Sequence, residues 1–324
     1  MFNRPHHQNI VRFLEKLDAE LLEQAGCFFG GGTAIVLATN EYRESVDVDF
    51  LCASEDGYRQ IRELVSDNDL NKLAREPIQL IRDVRKDRDK IYTVIDAGAG
   101  ERPIKFELVR EARIPLTGQR IPGLPVATLS HVDLYAEKIL ANADRWRDAS
   151  VMYRDAIDLA MMIDYWGPIP QASLDKTAVA YGKDALASLV KITDFLSNNE
   201  AALDKALASM GMDAALSHRI TAIMLAQINR IDPNNRACHH DADIPHALAE
   251  ELFARGIVAQ KIDLEQGRYL GAILIMSGDR AVQDLGRNTA AVHQLPAWQN
   301  KPAIGEQYVV KYSHGQVKWE HKGL

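Results

Sequence analysis

The chain has 324 residues, enough for two or more domains, and its 47% hydrophobic and 26% charged content fits a globular protein in water. A net charge of −7 argues against a protein that coats nucleic acid without specificity, although it leaves room for a local basic surface. With no run of eighteen apolar residues, no apolar core in Met1-Phe2-Asn3-Arg4-Pro5-His6-His7, and three scattered cysteines (Cys27, Cys52, Cys238), the reading expects no membrane span, no signal peptide, reduced thiols and a cytoplasmic location.

Apolar residues at helical spacing, from Ile10 through Leu14 to Leu22, predict a first helix over 7–25. Cys27-Phe28-Phe29 reads as a short strand running into Gly30-Gly31-Gly32. A short helix over 33–39, a strand over 46–53 and a helix over 56–73 follow, the last with Tyr58, Ile61, Leu64 and Val65 on its apolar face. Two strands are expected near 90–96 and 103–109, separated by the Gly98-Ala99-Gly100 turn. A Pro/Gly-rich stretch from Ile114 to Pro125 links them to helices near 130–147 and from Val151, then over 170–210 and 213–229. Asp232-Pro233-Asn234-Asn235 marks a boundary in 230–250. From Gln266 onward, β-rich runs with glycine turns predict a small barrel of about 55 residues.

The chemistry concentrates early. Side chains alternate across a strand, so Asp47 and Asp49 share one face while Val46, Val48 and Phe50 share the other. Two carboxylates projecting together suit Mg²⁺, a hard cation that takes oxygen ligands and completes its shell with phosphate and water. The glycines offer free N–H groups at a helix start, where anions are favoured, and Thr33 and Ser45 add hydroxyl donors. Together these parts suggest nucleotidyl transfer. Between Lys72 and Arg113 there are 11 Lys/Arg against 8 Asp/Glu, concentrated at Arg82, Arg85, Lys86, Arg88 and Lys90. That segment reads either as a solvated hairpin or loop, or as a clamp for an RNA backbone.

Gly31-Gly32-Thr33-Ala34 followed by Arg43-x-Ser45-x-Asp47-x-Asp49-Phe50 resembles the first motif of the AbiEii-type nucleotidyltransferases, polymerase-β-like enzymes that include the MenT-type toxins. Asp133-Leu134-Tyr135-Ala136-Glu137-Lys138 and Arg154-Asp155-x-x-Asp158-Leu159 resemble the family's later motifs, so the likeness covers about 1–165. It implies an α+β fold: a polymerase-β-like sheet with helices, then a helical region and a small C-terminal β domain. A third carboxylate is expected from the neighbouring strand, with Glu107 the candidate. Lys138 is expected to screen the triphosphate, and Arg43 to support it beside Gly31, Gly32, Thr33 and Ser45. Asp155 and Asp158 are i,i+3 neighbours and either could face the cleft; Asp155 is preferred for the site and Asp158 for support.

The resemblance implies an Mg²⁺-dependent toxin of a toxin–antitoxin or phage-defence system. It would move a nucleoside monophosphate from a nucleoside triphosphate to an acceptor such as a tRNA 3′ end, with a cognate antitoxin as partner. Nucleotidylation of a protein or small molecule, or a non-catalytic interaction protein on the same fold, are the alternatives. Gly267-x-Tyr269-x-Gly271-x-Ile273, with Gln283, Gly286-Arg287, His293, Gly305 and Tyr312, looks like a KfrB-type domain and implies a mobile-element context. The expected division is 1–165 for the nucleotidyltransferase domain, 166–250 for a helical region and 256–324 for the β-rich domain. Cys238-His239-His240-Asp241-Ala242-Asp243 reads as a linker, because adjacent histidines cannot readily share one ion.

Overall fold

The computed structural model describes residues 2–65, 69–231, 244–245, 247–248, 251–252, 255, 257–260, 262–286, 289–295 and 301–322. They divide into two compact units, one of Met1–Ile192 with Lys205–Asp213, the other of Thr193–Asp204 with Ala214–Leu324. The 232–243 turn and linker, with Cys238 and the paired histidines, and Arg287 of the C-terminal motif lie outside the described residues. No helix among the described residues is long and apolar enough to cross a membrane.

In the first unit the expected helix over 7–25 is two, α1 (Pro5–Lys16) and α2 (Ala19–Gln24). Leu17 is extended and buried, and the Asp18 carboxylate accepts from the Glu20 and Leu21 N–H groups, an N-cap that restarts the chain in a new direction. Strand β1 (Cys27–Gly30) runs into α3 (Gly31–Ala38), and β2 (Asp47–Cys52) is followed by α4 (Glu55–Leu64). Ser54 Oγ caps α4 by accepting from Gly57 N at 3.0 Å. The helix expected to reach residue 73 ends at Leu64, because Val65 turns to an extended conformation. Strands β3 (Leu80–Lys86), β4 (Lys90–Ile95) and β5 (Ile104–Arg110) come next, so the basic 82–90 segment is an edge strand and its turn. The Pro/Gly-rich stretch returns to the sheet as β6 (Gly118–Gln119) and β7 (Thr128–Leu129). Helices α5 (His131–Arg145), α6 (Arg154–Trp166) and α7 (Gln171–Tyr181) follow in this unit, the residues of α8 (Asp184–Asn198) and α9 (Glu200–Ser209) are divided between the two units, and α10 (Ser217–Ile231) belongs to the second.

The seven strands form one sheet in the order β3-β4-β5-β2-β1-β7-β6. The β2–β5 and β1–β7 pairs are parallel; the others are antiparallel. Phe29, Phe50 and Phe106 meet on its buried face, with Phe50 5.7 Å from Phe29 and 6.0 Å from Phe106, and Phe13 of α1 packs edge-on to Phe106. Burying each such side chain contributes roughly 1.5–3 kcal/mol. This face fixes the register, so the alternate residues of β2 and β5 must project to the opposite side.

The second unit holds a six-stranded sheet of β8 (Val258–Gln260), β9 (Arg268–Ser277), β10 (Arg280–Gly286), β11 (Thr289–Gln294), β12 (Gln307–Ser313) and β13 (Gln316–His321). Its order is β13-β12-β9-β10-β11-β8, and among the described residues the two end strands do not pair, so the expected closed barrel is an open sheet. The glycine motif has a steric cause: a methyl group on Gly271 would collide with the Asp284 carbonyl. Around that contact lies a buried relay. Gln283 Nε2 donates to the Gly271 and Tyr308 carbonyls, and its Oε1 lies 3.0 Å from His293 Nε2. His293 Nδ1 lies 2.9 Å from the Tyr312 hydroxyl. Since the amide oxygen can only accept, His293 carries its proton on Nε2 and accepts from Tyr312 through Nδ1. The motif residues Gly271, Gln283, His293 and Tyr312 are thus one hydrogen-bonded set.

Candidate active site

The parallel pairing of β2 with β5 sets Asp47 beside Lys105 and Asp49 beside Glu107. Three carboxylates therefore share one face, while Val48, Phe50, Phe106 and Leu108 are buried on the other. They line a cleft of about 480 Å³ whose rim includes Gly31, Gly32, Lys138 and Arg154. Gly31 opens α3 with φ +67°, a left-handed conformation suited to glycine. A methyl group there would overlap the Asp49 carboxylate, and one on Gly32 would overlap the Arg43 guanidinium. Both positions are bare because site side chains pack directly on the backbone. The first N–H groups of α3 have no partner inside the helix and are available to an anion.

Burial, with Glu107 and Asp47 adding repulsion, pushes the Asp49 carboxyl up to about 6, although Lys138 and Arg154 oppose the shift. A crowded, partly desolvated set of oxygen donors is what a hard divalent cation relieves. Lys90 Nζ holds Glu107 Oε1 at 2.8 Å, and among the described residues no three such side chains close on one point. The donor chemistry fits a divalent metal whose remaining ligands come from water and phosphate.

Behind the cleft is a buried charge network. Lys138 Nζ lies 3.0 Å from Asp155 Oδ1 and 2.7 Å from Asp158 Oδ2. Asp155 also receives Arg145 Nε at 2.6 Å and Nη2 at 2.9 Å. Asp158 receives Arg43 through Nε at 2.7 Å and Nη2 at 2.8 Å, and the Tyr42 hydroxyl at 2.7 Å. Burial opposes the charge on Asp158, but Arg43 and Lys138 outweigh it and hold the carboxyl well below the usual range. Asp155 is held low in the same way by Lys138 and Arg145. Three cations against two carboxylates leave one positive charge in excess beside the cleft.

This arrangement alters the expected division of labour. Arg43, expected to support a triphosphate, has Nε and Nη2 on Asp158 and Nη1 on the Glu44 carbonyl. Neither Asp155 nor Asp158 lines the cleft; both grip Lys138 from behind. Thr33 Oγ1 lies 2.8 Å from Ser45 Oγ and also donates to the Asp47 carbonyl, so the two hydroxyls brace the strand that carries the aspartates. Ser45 N donates to His7 Nε2 at 3.0 Å, and His7 Nδ1 lies 2.8 Å from Glu41 Oε1. With Nε2 accepting, His7 is neutral and donates to Glu41; its burial lowers its proton affinity below the ordinary histidine value.

Sequence reasoning missed Arg145, Glu111 and Arg113, gave Arg154 and Glu137 no role, and did not see His7 or Glu41. The spacing of Leu134, Glu137, Lys138, Ala141 and Arg145 is that of one helix face, which could have pointed to Arg145. Burial and neighbouring Glu111 push the Glu137 carboxyl up to about 8. Arg154 sits at the first turn of α6, just after Met152 and Tyr153, both left-handed at φ 51° and 53°. Each such non-glycine residue costs roughly 1–2 kcal/mol, a strain that sets the entry of α6 beside the cleft.

A family model described as nucleotidyl transferase AbiEii toxin, Type IV TA system, matches residues 12–234. The chain belongs to the AbiEii family. It is thus a nucleotidyltransferase of a toxin–antitoxin family, with an α+β fold and a separate C-terminal β sheet. A KfrB domain model matches residues 268–321, which include the Gly271, Gln283, His293 and Tyr312 set. No curated protein matches the chain. Among solved structures, JHP933 from Helicobacter pylori is similar at 12% identity over 73% of this chain and 97% of that one, with a TM-score of 0.42. An antigenic nucleotidyltransferase-like protein from Paracoccidioides brasiliensis is similar at 15% identity, over 62% and 94%, with a TM-score of 0.37. MenT4, a nucleotidyltransferase toxin from Mycobacterium tuberculosis H37Rv, is similar at 13% identity, over 78% and 84%, with a TM-score of 0.30.

Proposed function

We propose that this AbiEii-family chain is an Mg²⁺-dependent enzyme that transfers a nucleoside monophosphate from a nucleoside triphosphate to the 3′ hydroxyl of an RNA such as tRNA, and so acts as a toxin held in check by a cognate antitoxin. The observation that carries this reading is the row of Asp47, Asp49 and Glu107 facing the glycine-opened start of α3 across one cleft. Asp47 and Asp49, with Glu107 beside them, would hold the metal. When bound, it supplies charge neutralisation for the phosphate oxygens and acidifies the attacking hydroxyl. The α3 N–H groups at Gly31 and Gly32 hold the triphosphate. Arg154, which has no ion-pair partner among the described residues, offers a free guanidinium to it. The acceptor hydroxyl gives up its proton to solvent, its oxygen forms a bond to the α-phosphorus as the bond to the β-phosphate bridge breaks, and pyrophosphate leaves with the charge that Lys138 and its network screen.

Arg43, Asp155 and Asp158 act as positioning residues in this reading, and Thr33 and Ser45 brace β2. The test is transfer of label from each α-labelled nucleoside triphosphate in the presence of Mg²⁺ and total tRNA. Label entering RNA from the intact chain, absent with Asp49→Ala, is the expected outcome. Label entering protein instead would replace the acceptor, and label entering neither would refute the reading.

A further inference from the structure

The strand pairing extends the catalytic face beyond the cleft. Reading across the sheet, Asp49 pairs with Glu107, Glu107 with Tyr92, and Tyr92 with Arg85. The neighbouring row is Asp47, Lys105, Val94 and Arg82. Residues paired across neighbouring strands project to the same side of a sheet. The register shift between Arg82 and Arg85 lets these two, three residues apart, pair with Val94 and Tyr92 on one face, so two rows lead from the catalytic aspartates to the edge strand β3. At one strand spacing per step, Arg85 stands roughly 14 Å from Asp49.

The residues along these rows are unlike most of their neighbours. Arg43, Arg102, Arg110, Arg113 and Arg145 are all engaged with carboxylates. Arg82, Arg85 and Lys105 are exposed and have no ion-pair partner among the described residues. Between them Tyr92 leaves 38% of its surface to solvent, with Lys90 Nζ 5.3 Å from the ring centre. Edge strands are often charged simply to prevent edge-to-edge pairing. That purpose asks nothing of an exposed tyrosine on the inner strand β4, nor of a cation on β5.

We infer that this strip is the docking track for the acceptor, a single-stranded RNA end, with an unpaired base stacked on Tyr92 and its phosphates on Arg85, Arg82 and Lys105. Exposed aromatic rings on a sheet take unpaired bases, and lone cations interleaved with them take the backbone. The rows end at Asp47 and Asp49, so a strand lying along them delivers its terminal hydroxyl to the carboxylates. The inference rests on the RNA acceptor given in the proposed function and specifies the surface that receives it.

The test is binding of a short 5′-fluorescein-labelled single-stranded RNA to the full chain, followed by anisotropy over a series of salt concentrations without nucleoside triphosphate. The double variant Arg82→Gln/Arg85→Gln is expected to weaken binding about tenfold or more and to flatten the salt slope by about 1.4, the share of two phosphate contacts on a single strand. Tyr92→Ser is expected to weaken it about tenfold, while Tyr92→Phe keeps the stacking face and the affinity. The inference is overturned if the arginine double variant binds with unchanged affinity and slope. It is overturned equally if the loss appears instead in Arg147→Gln/Lys191→Gln, at the separate Trp146 cluster past the end of α5. Binding of poly-glutamate through the strip, with no binding of RNA, would give the surface to an acidic protein segment and overturn it too. If the chain binds RNA through the strip yet transfers no nucleotide to it, the track stands and the proposed reaction falls.

Discussion

The catalytic unit and the C-terminal sheet each bury a connected set of polar side chains, and they use opposite materials. In the first, Arg43, Lys138 and Arg145 enclose Asp155 and Asp158, every member ionised. In the second, Tyr312, His293 and Gln283 pass a relay of neutral donors and acceptors to two backbone carbonyls. Buried charges are expensive to desolvate and often add little net stability, so a fold that retains them beside a cleft gains a field there instead. A neutral relay carries no such field; it fixes one strand register and one side-chain arrangement. The difference separates a region arranged to act on an anion from one arranged to hold its shape.

The comparison breaks most sharply at the carboxylates themselves. Asp49→Asn is expected to lower nucleotide transfer by about a thousandfold or more, since under the proposed function it removes a charge that would hold the metal. Its thermal midpoint is expected to be unchanged or raised, because the repulsion with Glu107 and Asp47 disappears. Asp158→Ala is expected to lower stability by roughly 3–5 kcal/mol in chemical denaturation, as it strands Arg43 and part of the Lys138 charge in the interior.

Acid separates the two networks. Burial brings the His293 ring down to about 4 from 6.5, so it folds neutral. A lowered histidine contributes stability that is full above about 6.5 and is lost as pH falls toward 4, on the order of 3 kcal/mol. Asp158 is a lowered carboxylate, so its contribution persists above the ordinary carboxylate value of 3.8 and declines only below it. Fluorescence of Trp319, which packs 5.2 Å from His293, should therefore report loosening of the sheet in acid before activity-related structure is lost. Smallest is Tyr312→Phe, which leaves His293 Nδ1 without its donor and should cost about 1–2 kcal/mol by denaturant titration. A larger loss would mean that the relay carries more than register.

Much of the site was legible because strand alternation is local. Asp47 and Asp49 had to share a face once Val48 and Phe50 were committed to the core, and Lys105-Phe106-Glu107-Leu108 had to alternate likewise. What alternation could not supply was the partner. Arg43 reads as a free cation in the motif, yet its carboxylate is 115 residues away, and no local pattern names it. The helix break at Leu17 was hidden because Leu17 fits both a helical stripe and a buried extended residue; only the Asp18 cap decides between them. Strand β3 was legible only as one reading of the basic segment, a solvated hairpin without bounds, because its register shifts between Leu80 and Arg82 and again between Arg82 and Arg85, which erases the two-residue period that marks a strand. In the C-terminal sheet the motif was visible as spaced glycines and polar residues, but its meaning as one hydrogen-bonded relay needed four strands brought together.

The parallel pairing of β2 with β5 has a consequence for synthesis. Parallel neighbours cannot be joined by a tight turn, so the carboxylate row exists only after a long stretch of intervening chain has been made and returned to the sheet. Lys138 and its aspartates come later still, and Asp158 closes on Arg43 last. A ribosome that has translated only the Gly31–Asp49 motif has made the most recognisable part of this enzyme and none of its activity. If the chain acts as the toxin proposed above, it stays inactive while it is being made, and a restraining partner could wait for the finished fold.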